Sequence, residues 1–315
     1  MTVFEKLDKL PQYERAFVTI GNFDGIHLGH KKILDKLVAD AENFHRIVIT
    51  FRDAPRKFIN PRIFSGYIFP PGYKIKVFES LGIDSLVYLD FPDVKDLSAE
   101  EFLYRITNKI SDLHLYVGHD FRFGNGGRGG IGFLKREAEN TGFSLTEVGE
   151  HKFRGQSVKS TNIRRMIMRG DMKTAADMLG RPYFIVSKKI TGDNLGKKIG
   201  FPTLNLEINN QVLPAIGVYF TYCFVDGRFL PSMSYIGKRP TVNGIDLRLE
   251  THILNFDGGL ENKEYPLAFI EKIRNEKKLH NLEELQKILY NDKEVIYTLA
   301  AKHRLPDNFV KLFGG

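Results

Sequence analysis

The chain has 315 residues, 42% hydrophobic and 27% charged, which is enough for two domains with cores of their own. Its net charge of +8 suits anionic partners (nucleotides, nucleic acid or acidic lipid) without choosing among them. The lone cysteine, Cys223, excludes an internal disulfide and points to a reducing, cytoplasmic setting; no apolar run is long enough to span a bilayer, and no membrane partner is expected. Met1 to Leu10 is charged and lacks an apolar stretch, so no secretory leader is expected there. There is no fixed-period repeat and no low-complexity tract.

The first half alternates strands and helices. Phe17 to Ile20 reads as a strand and Gly29 to about Ala41 as a helix; Arg46 to Phe51 is a second strand, and Leu86 to Leu89 another short apolar run. Ser98-Ala99-Glu100-Glu101 is a capping box opening a helix toward Ile110, and Leu115 to Val117 is a strand that runs into glycine-rich sequence. Such alternation predicts a parallel, doubly wound sheet, in which ligands bind at the carboxyl ends of the strands. Both Gly21 to His30 and Gly118 to Gly130 begin just past a predicted strand end.

After Gly180-Arg181-Pro182 the pattern becomes β-rich, with runs at Tyr183 to Ile190, Gly217 to Val225, Arg228 to Ile236 and Leu247 to Phe256. Val225-Asp226-Gly227-Arg228 is a two-residue hairpin signal. A helix starts at Asn281, with Glu284 three residues on and Leu282, Leu285, Ile288 and Leu289 at helical spacing. The second half therefore reads as a small antiparallel barrel with a C-terminal helix, and the boundary falls near residue 182, giving domains 1–182 and 183–315.

Five constellations carry chemistry. Gly21-Asn22-Phe23-Asp24-Gly25, with His27 and His30, is a strand, a glycine turn and a helix start; close backbone approach, helix N–H groups and two imidazoles one turn apart suit a polyphosphate. The chemistry expected is nucleotidyl transfer, which needs charge neutralisation and in-line placement more than a protein nucleophile. In Lys159-Ser160-Thr161-Asn162-Ile163-Arg164, hydroxyls, helix N–H groups and Arg164 can bind β- and γ-phosphates, although by itself the run reads as a capped basic helix. Gly118 to Gly130 offers Phe121 and Phe123 as surfaces beside a flat ring and Arg122 or Arg128 for a phosphate; its composition alone suggests a flexible loop. Gly192 to Asn205 has three glycines at four-residue spacing (Gly192, Gly196, Gly200), Lys197 and Lys198, and then Thr203 and Asn205; it lacks a P-loop ending but can cradle ATP and Mg²⁺. In Leu249 to Phe256, Glu250 and His252 share one strand face, which by itself reads as a solvated face; an inward Glu250 can instead accept a proton from a substrate hydroxyl.

Taken together and in order, these motifs resemble the prokaryotic bifunctional riboflavin kinase/FMN adenylyltransferase (FAD synthetase) family over nearly the whole chain. Further family-like elements are Gly217-Val218-Tyr219, Ile236-Gly237-Lys238-Arg239-Pro240-Thr241 and Glu250-Thr251-His252. The resemblance implies a Rossmann-like α/β nucleotidyltransferase domain and a six-stranded antiparallel kinase barrel. It implies that His27 and His30 hold ATP phosphates with Ser160, Thr161 and Arg164, and that Asp120 to Gly124, including Phe121 and Phe123, lie near the flavin. It also implies that Thr203 and Asn205 meet Mg²⁺ and ATP phosphate, that Glu250 is the base for the ribityl hydroxyl, and that Arg274, in Arg274 to Lys278, flanks the flavin. Riboflavin, FMN, FAD and ATP are the implied substrates and products.

The chain departs from the family pattern at Asp53-Ala54-Pro55 in place of Pro-His-Pro, at Lys159 in place of a serine, around Phe69 to Gly72 before Lys74, and at Leu204 in place of a small residue. Two rivals stand beside the bifunctional reading: one active half only, or a non-catalytic flavin- or nucleotide-binding regulator touching RNA through Lys272 to Lys278. The retained Glu250, His27 and His30 argue against the regulator and its nucleic acid. Oligomeric state is not legible in the sequence.

Overall fold

The computed structural model describes residues 1–192, 195–241, 244–261, 263–277 and 281–314. Asp193 and Asn194 of the glycine run, and Lys278 of the later basic loop, lie outside the described residues. The chain forms two compact units, Met1–Phe64 with Pro71–Ser160, and Ser65–Pro70 with Thr161–Gly315.

The first unit is built on a six-stranded sheet, β1 (Thr2–Phe4), β2 (Tyr13–Gly21), β3 (His45–Phe51), β4 (Ser85–Leu89), β5 (Ile110–Gly118) and β6 (Ser144–Val148), in the order β1-β4-β3-β2-β5-β6. Every pairing in it is parallel, as the alternation of elements predicts. Central strands of such a sheet are covered on both faces, which is why Ile47, Val48 and Ile49 of β3 form an unbroken apolar run and all are fully buried. The chain leaves β2 toward β3 and β4 on one side and returns as β5 and β6 on the other. The crevice at the carboxyl ends of β2 and β5 is therefore the topological switch point, where such sheets bind ligands. The helix Leu28–Ala41 follows β2, and a small ribbon of β7 (Lys152–Phe153) and β8 (Gln156–Ser157) follows β6. Ser98 caps the helix Ala99–Thr107 by the box the sequence predicts, with Ser98 Oγ accepting from the Glu101 N–H and Glu101 from the Ser98 N–H.

The second unit is a closed antiparallel barrel of six strands, β9 (Tyr183–Ile190), β10 (Leu204–Leu206), β11 (Gly217–Val225), β12 (Arg228–Thr241), β13 (Gly244–Ile253) and β14 (Glu264–Arg274), in the order β10-β13-β12-β11-β14-β9. Asp226 and Gly227 both take positive φ, the two-residue turn whose twist matches the flanking strands β11 and β12. The barrel interior holds a chain of hydroxyls among its apolar side chains. Thr221 Oγ1 lies 2.9 Å from Ser232 Oγ and 2.7 Å from Ser234 Oγ, and Ser234 Oγ lies 2.9 Å from Thr251 Oγ1. All are fully buried, so each hydroxyl must find its partner within the barrel, and these do. Outside the barrel runs the helix Leu282–Ala300, capped by Asn281, whose side chain accepts from the Glu284 N–H. Among the described residues no helix is long and apolar enough to cross a membrane.

Ser98→Ala removes one half of the reciprocal cap. It is expected to cost the first unit about 1 kcal/mol, read as a lowered calorimetric midpoint of that unit alone.

Candidate functional sites

In the first unit the turn after β2 is shaped by residues held on the left-handed side of backbone space: Phe23 at φ 46°, Gly25 at φ 92° and Ile26 at φ 37°. The Phe23 ring folds back over Gly21, where a Cβ would stand 3.1 Å from it, and is held edge-on by His30 at 5.1 Å and Phe78 at 5.6 Å. Phe23 thus lends the turn its backbone while its side chain is core. His27 is the N-cap of the following helix: its Nδ1 accepts from the His30 N–H at 3.3 Å. A neutral ring that accepts at Nδ1 carries its proton on Nε2. The His27 and His30 rings stack, centroids 3.7 Å apart and 14° from parallel, one helical turn apart as the spacing predicts. Gly29 makes room for this, since a Cβ there would lie 3.0 Å from the Val158 carbonyl oxygen and 3.1 Å from His27 Nδ1.

Ser160 Oγ donates to the Asp24 carbonyl at 2.9 Å, which ties it to the turn. Thr161 and Arg164 belong to the second unit, where Arg164 Nε donates to the Gly66 carbonyl at 3.2 Å.

The glycine-rich segment after β5 is a folded structure. Phe123 and Gly129 exchange both backbone hydrogen bonds, at 3.1 and 2.9 Å. Gly124, at φ 71°, lies where a Cβ would press within 2.8 Å of the Ala99 nitrogen. Phe121 and Phe123 stack on each other, centroids 5.4 Å apart, and pack against the sheet's core. Asp120 and Phe121 line a hollow with His119, Arg122, Arg128 and Arg136, whereas Phe123 and Gly124 do not. Burial works against the Asp120 carboxylate, but Lys159 Nζ at 2.6 Å outweighs it and holds the acid below its ordinary range. Lys159, one of the departures, is therefore the partner of an expected site residue.

In the second unit Thr203, Asn205, Glu250, His252 and Arg274 line one cavity of about 300 Å³. Register explains the meeting. Asn205 of β10 stands directly opposite Glu250 of β13, and Tyr235 of β12 stands opposite Glu250 on its other side, so the three share a face. That face is not the barrel interior. Leu249, Thr251 and Ile253 take the interior, and Glu250 points the other way, into a cleft whose far wall is Leu285 and Leu289 of the C-terminal helix. Glu250 is thus outward of the barrel and not inward, because the alternate positions are the apolar ones. Gly192 backs onto the Asn205 amide, where a Cβ would fall 2.0 Å from Nδ2; Gly196 lies under the Phe201 carbonyl, where a Cβ would fall 2.2 Å from the oxygen. Among the described residues Gly196 lines the cleft, while Gly192, Lys197 and Gly200 do not.

His252 Nδ1 donates to the Pro202 carbonyl at 2.8 Å, and burial holds this imidazole below its ordinary pKa, so it remains a neutral donor fixing the loop before Thr203. Arg248 Nη1 lies 3.0 Å from Glu250 Oε1, and its guanidinium sits over the Tyr235 ring at 5.2 Å. The Tyr235 hydroxyl donates to Glu276. Arg274 is committed elsewhere. Its Nε donates to both Asp292 carboxylate oxygens at 3.0 Å, with Nη2 2.8 Å from Oδ2, and Asp292 is buried on the C-terminal helix. The same helix is held at the other rim by Gln286 Nε2, which donates to the Ile199 carbonyl at 3.3 Å, and by Tyr290, edge-on to Phe201 at 5.1 Å.

Two family models match the chain, FAD synthetase over residues 9–162 and riboflavin kinase over residues 179–300. The bifunctional riboflavin kinase/FMN adenylyltransferase of Pseudomonas fluorescens is 32% identical over 92% of this chain and 95% of its own. The chain belongs to the bifunctional riboflavin kinase/FMN adenylyltransferase family. The protein of that name from Haemophilus influenzae is 31% identical over 88% of this chain and 92% of its own. A crystal structure described as a macrolide-efflux protein from Streptococcus pneumoniae covers 94% of this chain and 98% of its own at 25% identity, with a TM-score of 0.83.

The motifs of this family do not reach every residue of the sites. Lys74, Tyr235, Arg248, Glu276 and Asp292 carry no glycine or histidine signature; only the register of β12 and β13 and the seating of two helices bring them in. Arg274→Ala strips a buried carboxylate of its cation. It is expected to cost the second unit about 3–5 kcal/mol, well beyond Arg248→Ala at the half-exposed end of the cleft, by calorimetry without ligand.

Proposed function

We infer that the protein makes FAD from riboflavin in two ATP-dependent steps: the barrel phosphorylates riboflavin to FMN with release of ADP, and the parallel-sheet unit adenylylates FMN with release of pyrophosphate. We divide the chain for these steps near residue 182, as 1–182 and 183–315. The observation that carries the reading is the face-to-face placement of Asn205 and Glu250 in one cleft with Thr203.

In the kinase step Glu250 accepts the proton of the ribityl hydroxyl as that oxygen attacks the γ-phosphorus of ATP. The Arg248 guanidinium stands beside it, Nη1 3.0 Å from Glu250 Oε1. Thr203 and Asn205 hold the ATP phosphates with a divalent cation. Their donors, a hydroxyl and an amide oxygen beside one carboxylate, fit Mg²⁺, which keeps several waters and takes phosphate oxygens. Among the described residues no group of three or more His, Cys, Asp or Glu offers a softer metal a cage. Mg²⁺ when bound neutralises phosphate charge. Leu285 and Leu289 give the flat flavin an apolar wall, and Arg274 supports it by holding the helix that carries them.

In the adenylyl step an FMN phosphate oxygen attacks the α-phosphorus of ATP, and no protein nucleophile is needed. His27 and His30, the backbone of Gly21 to Gly25, the helix N-terminus and Ser160 hold the triphosphate and meet the charge that develops on the leaving pyrophosphate. Asp120, Phe121 and the arginines of the neighbouring hollow lie at the end of β5, across the switch point, where FMN is received. A reducing cytoplasmic setting suits a chain whose only cysteine is buried inside the barrel.

Glu250→Gln is expected to lower FMN formation from riboflavin by about 10²–10⁴-fold and leave FAD formation from added FMN intact. The double variant His27→Ala, His30→Ala is expected to do the reverse. Chromatography of the flavin products after incubation with ATP and Mg²⁺ checks both, and loss of the two steps together in folded protein contradicts the two-site assignment. Chelation of the divalent cation is expected to stop phosphorylation, with activity returning on adding Mg²⁺.

A further inference from the structure

One cation in the first unit is buried where a lysine is rarely found. Lys74 opens the helix Lys74–Ser80 and is only 4% exposed. Its Nζ donates to the Asn22 carbonyl at 3.0 Å and reaches the Phe51 carbonyl at 3.4 Å. Those two oxygens end neighbouring parallel strands: Asn22 begins the turn after β2, and Phe51 closes β3. The helix presses on the same turn a second time, through the edge contact of Phe78 with Phe23. The charged groups acting on the ammonium include Asp24 from the turn and Asp53 from the segment after β3; Lys57 follows Asp53, and Lys76 and Glu79 share its helix. Asp24 is buried, Lys57 pairs with Asp53 at 3.0 Å, Lys76 lies over the Tyr73 ring and Glu79 faces the chain's amino terminus. The Asn22 and Phe51 carbonyls receive its protons.

We propose that Lys74 is a positioning residue of the adenylyl-transfer site, whose ammonium ties the Asn22 carbonyl to the end of β3 and so holds the Asn22 to Gly25 backbone in the left-handed shape that meets the ATP phosphates. The proposal rests on the reading of this turn as the adenylyltransferase site. An ammonium offers three donors and a full charge to those carbonyls; the neutral amine offers two donors and no charge, and the turn loosens. Burial pushes the Lys74 ammonium down to about 8, against the pull of Asp24 and Asp53. The holding form is therefore the one present below about pH 8, and it is lost as pH rises through that value. Asp53, a departure from the family pattern, is one of the two carboxylates that keep Lys74 charged.

The test uses the full chain, which carries its own control. The KM for ATP and the kcat of FMN adenylylation are measured between about pH 6.5 and about pH 9.5, with riboflavin phosphorylation followed in the same preparations. The wild-type KM for ATP is expected to rise roughly tenfold above about pH 8, with kcat changing less and the kinase step keeping a different profile. Lys74→Met is expected to show the high KM throughout, without that rise. Lys74→Arg, whose cation does not titrate, is expected to restore the low KM and hold it across the range. Asp53→Asn is expected to move the rise to lower pH. A Lys74→Met protein with the wild-type KM and profile overturns the proposal, and so does a wild-type rise persisting in Lys74→Arg. Should Lys74→Met fail to fold, which loss of the first unit's calorimetric transition would reveal, the Arg and Asn variants decide. If the wild type forms FMN but no FAD, it is the functional reading that fails; calorimetric titration with ATP then compares the same variants.

Discussion

The shortest strand of the barrel fixes its chemistry. β10 is Leu204-Asn205-Leu206, and it pairs with β13 on one side and β9 on the other. Leu204 and Leu206 are buried in the barrel interior. A slip of one residue exchanges the faces of a strand, sending two leucines to the cleft and an amide to the core. Each leucine returned to solvent costs about 1.5–3 kcal/mol, and the amide adds the penalty of a buried polar group without partners. The apolar pair therefore holds Asn205 opposite Glu250, and Thr203, two residues earlier, follows to the same side. Core packing, rather than any contact between the polar groups themselves, assembles the donors of the proposed nucleotide site.

The first unit solves the corresponding problem with backbone instead of register. The proposed polyphosphate site calls for N–H groups with no side chains in the way, and the turn after β2 places Phe23, Gly25 and Ile26 at positive φ. For residues other than glycine that shape costs on the order of 1–3 kcal/mol each and persists only when the surroundings impose it. They do so from several directions: the Phe23 ring is wedged between Phe78 and His30, Ser160 grips the Asp24 carbonyl, and Lys74 grips that of Asn22. Gly29 then leaves the space in which His27 turns its Nδ1 to the helix and stacks on His30. The paired histidines are the visible end of a turn whose shape is set beneath them.

Much of this was legible in the sequence because it repeats with a period or carries a glycine. The 28–41 helix, the β11–β12 hairpin, the Ser98 box and the parallel pairing of the first sheet follow from patterning, turn chemistry and capping. β10 and β14 escaped a reading by pattern. Three residues are too few to show alternation, and Glu264 to Arg274 is buried along most of its length rather than on alternate positions. The direction of Glu250 escaped as well, since alternation says that Glu250 and His252 share a face and not which face the barrel closes on. Arg274 entered only through the family resemblance, and its bidentate grip on Asp292 joins positions 18 apart on a strand and a helix, which no local signal encodes.

The departures from the family pattern have physical counterparts in the two units. Leu204 stands between Thr203 and Asn205, yet its side chain turns into the barrel, so its size is answered by core volume and not by phosphate. Lys159 carries its charge to Asp120 across 39 positions of chain and so joins the loop after β5 to the segment that supplies Ser160. Asp53 stands at the end of β3 between two lysines, pairing with Lys57 and attracting Lys74. Each substitution that introduces a charge thus comes with an opposite charge beside it. A carboxylate placed near a triphosphate site would repel the ligand if it faced it alone. Here its field falls on Lys74, beneath the turn after β2, and stabilises that cation.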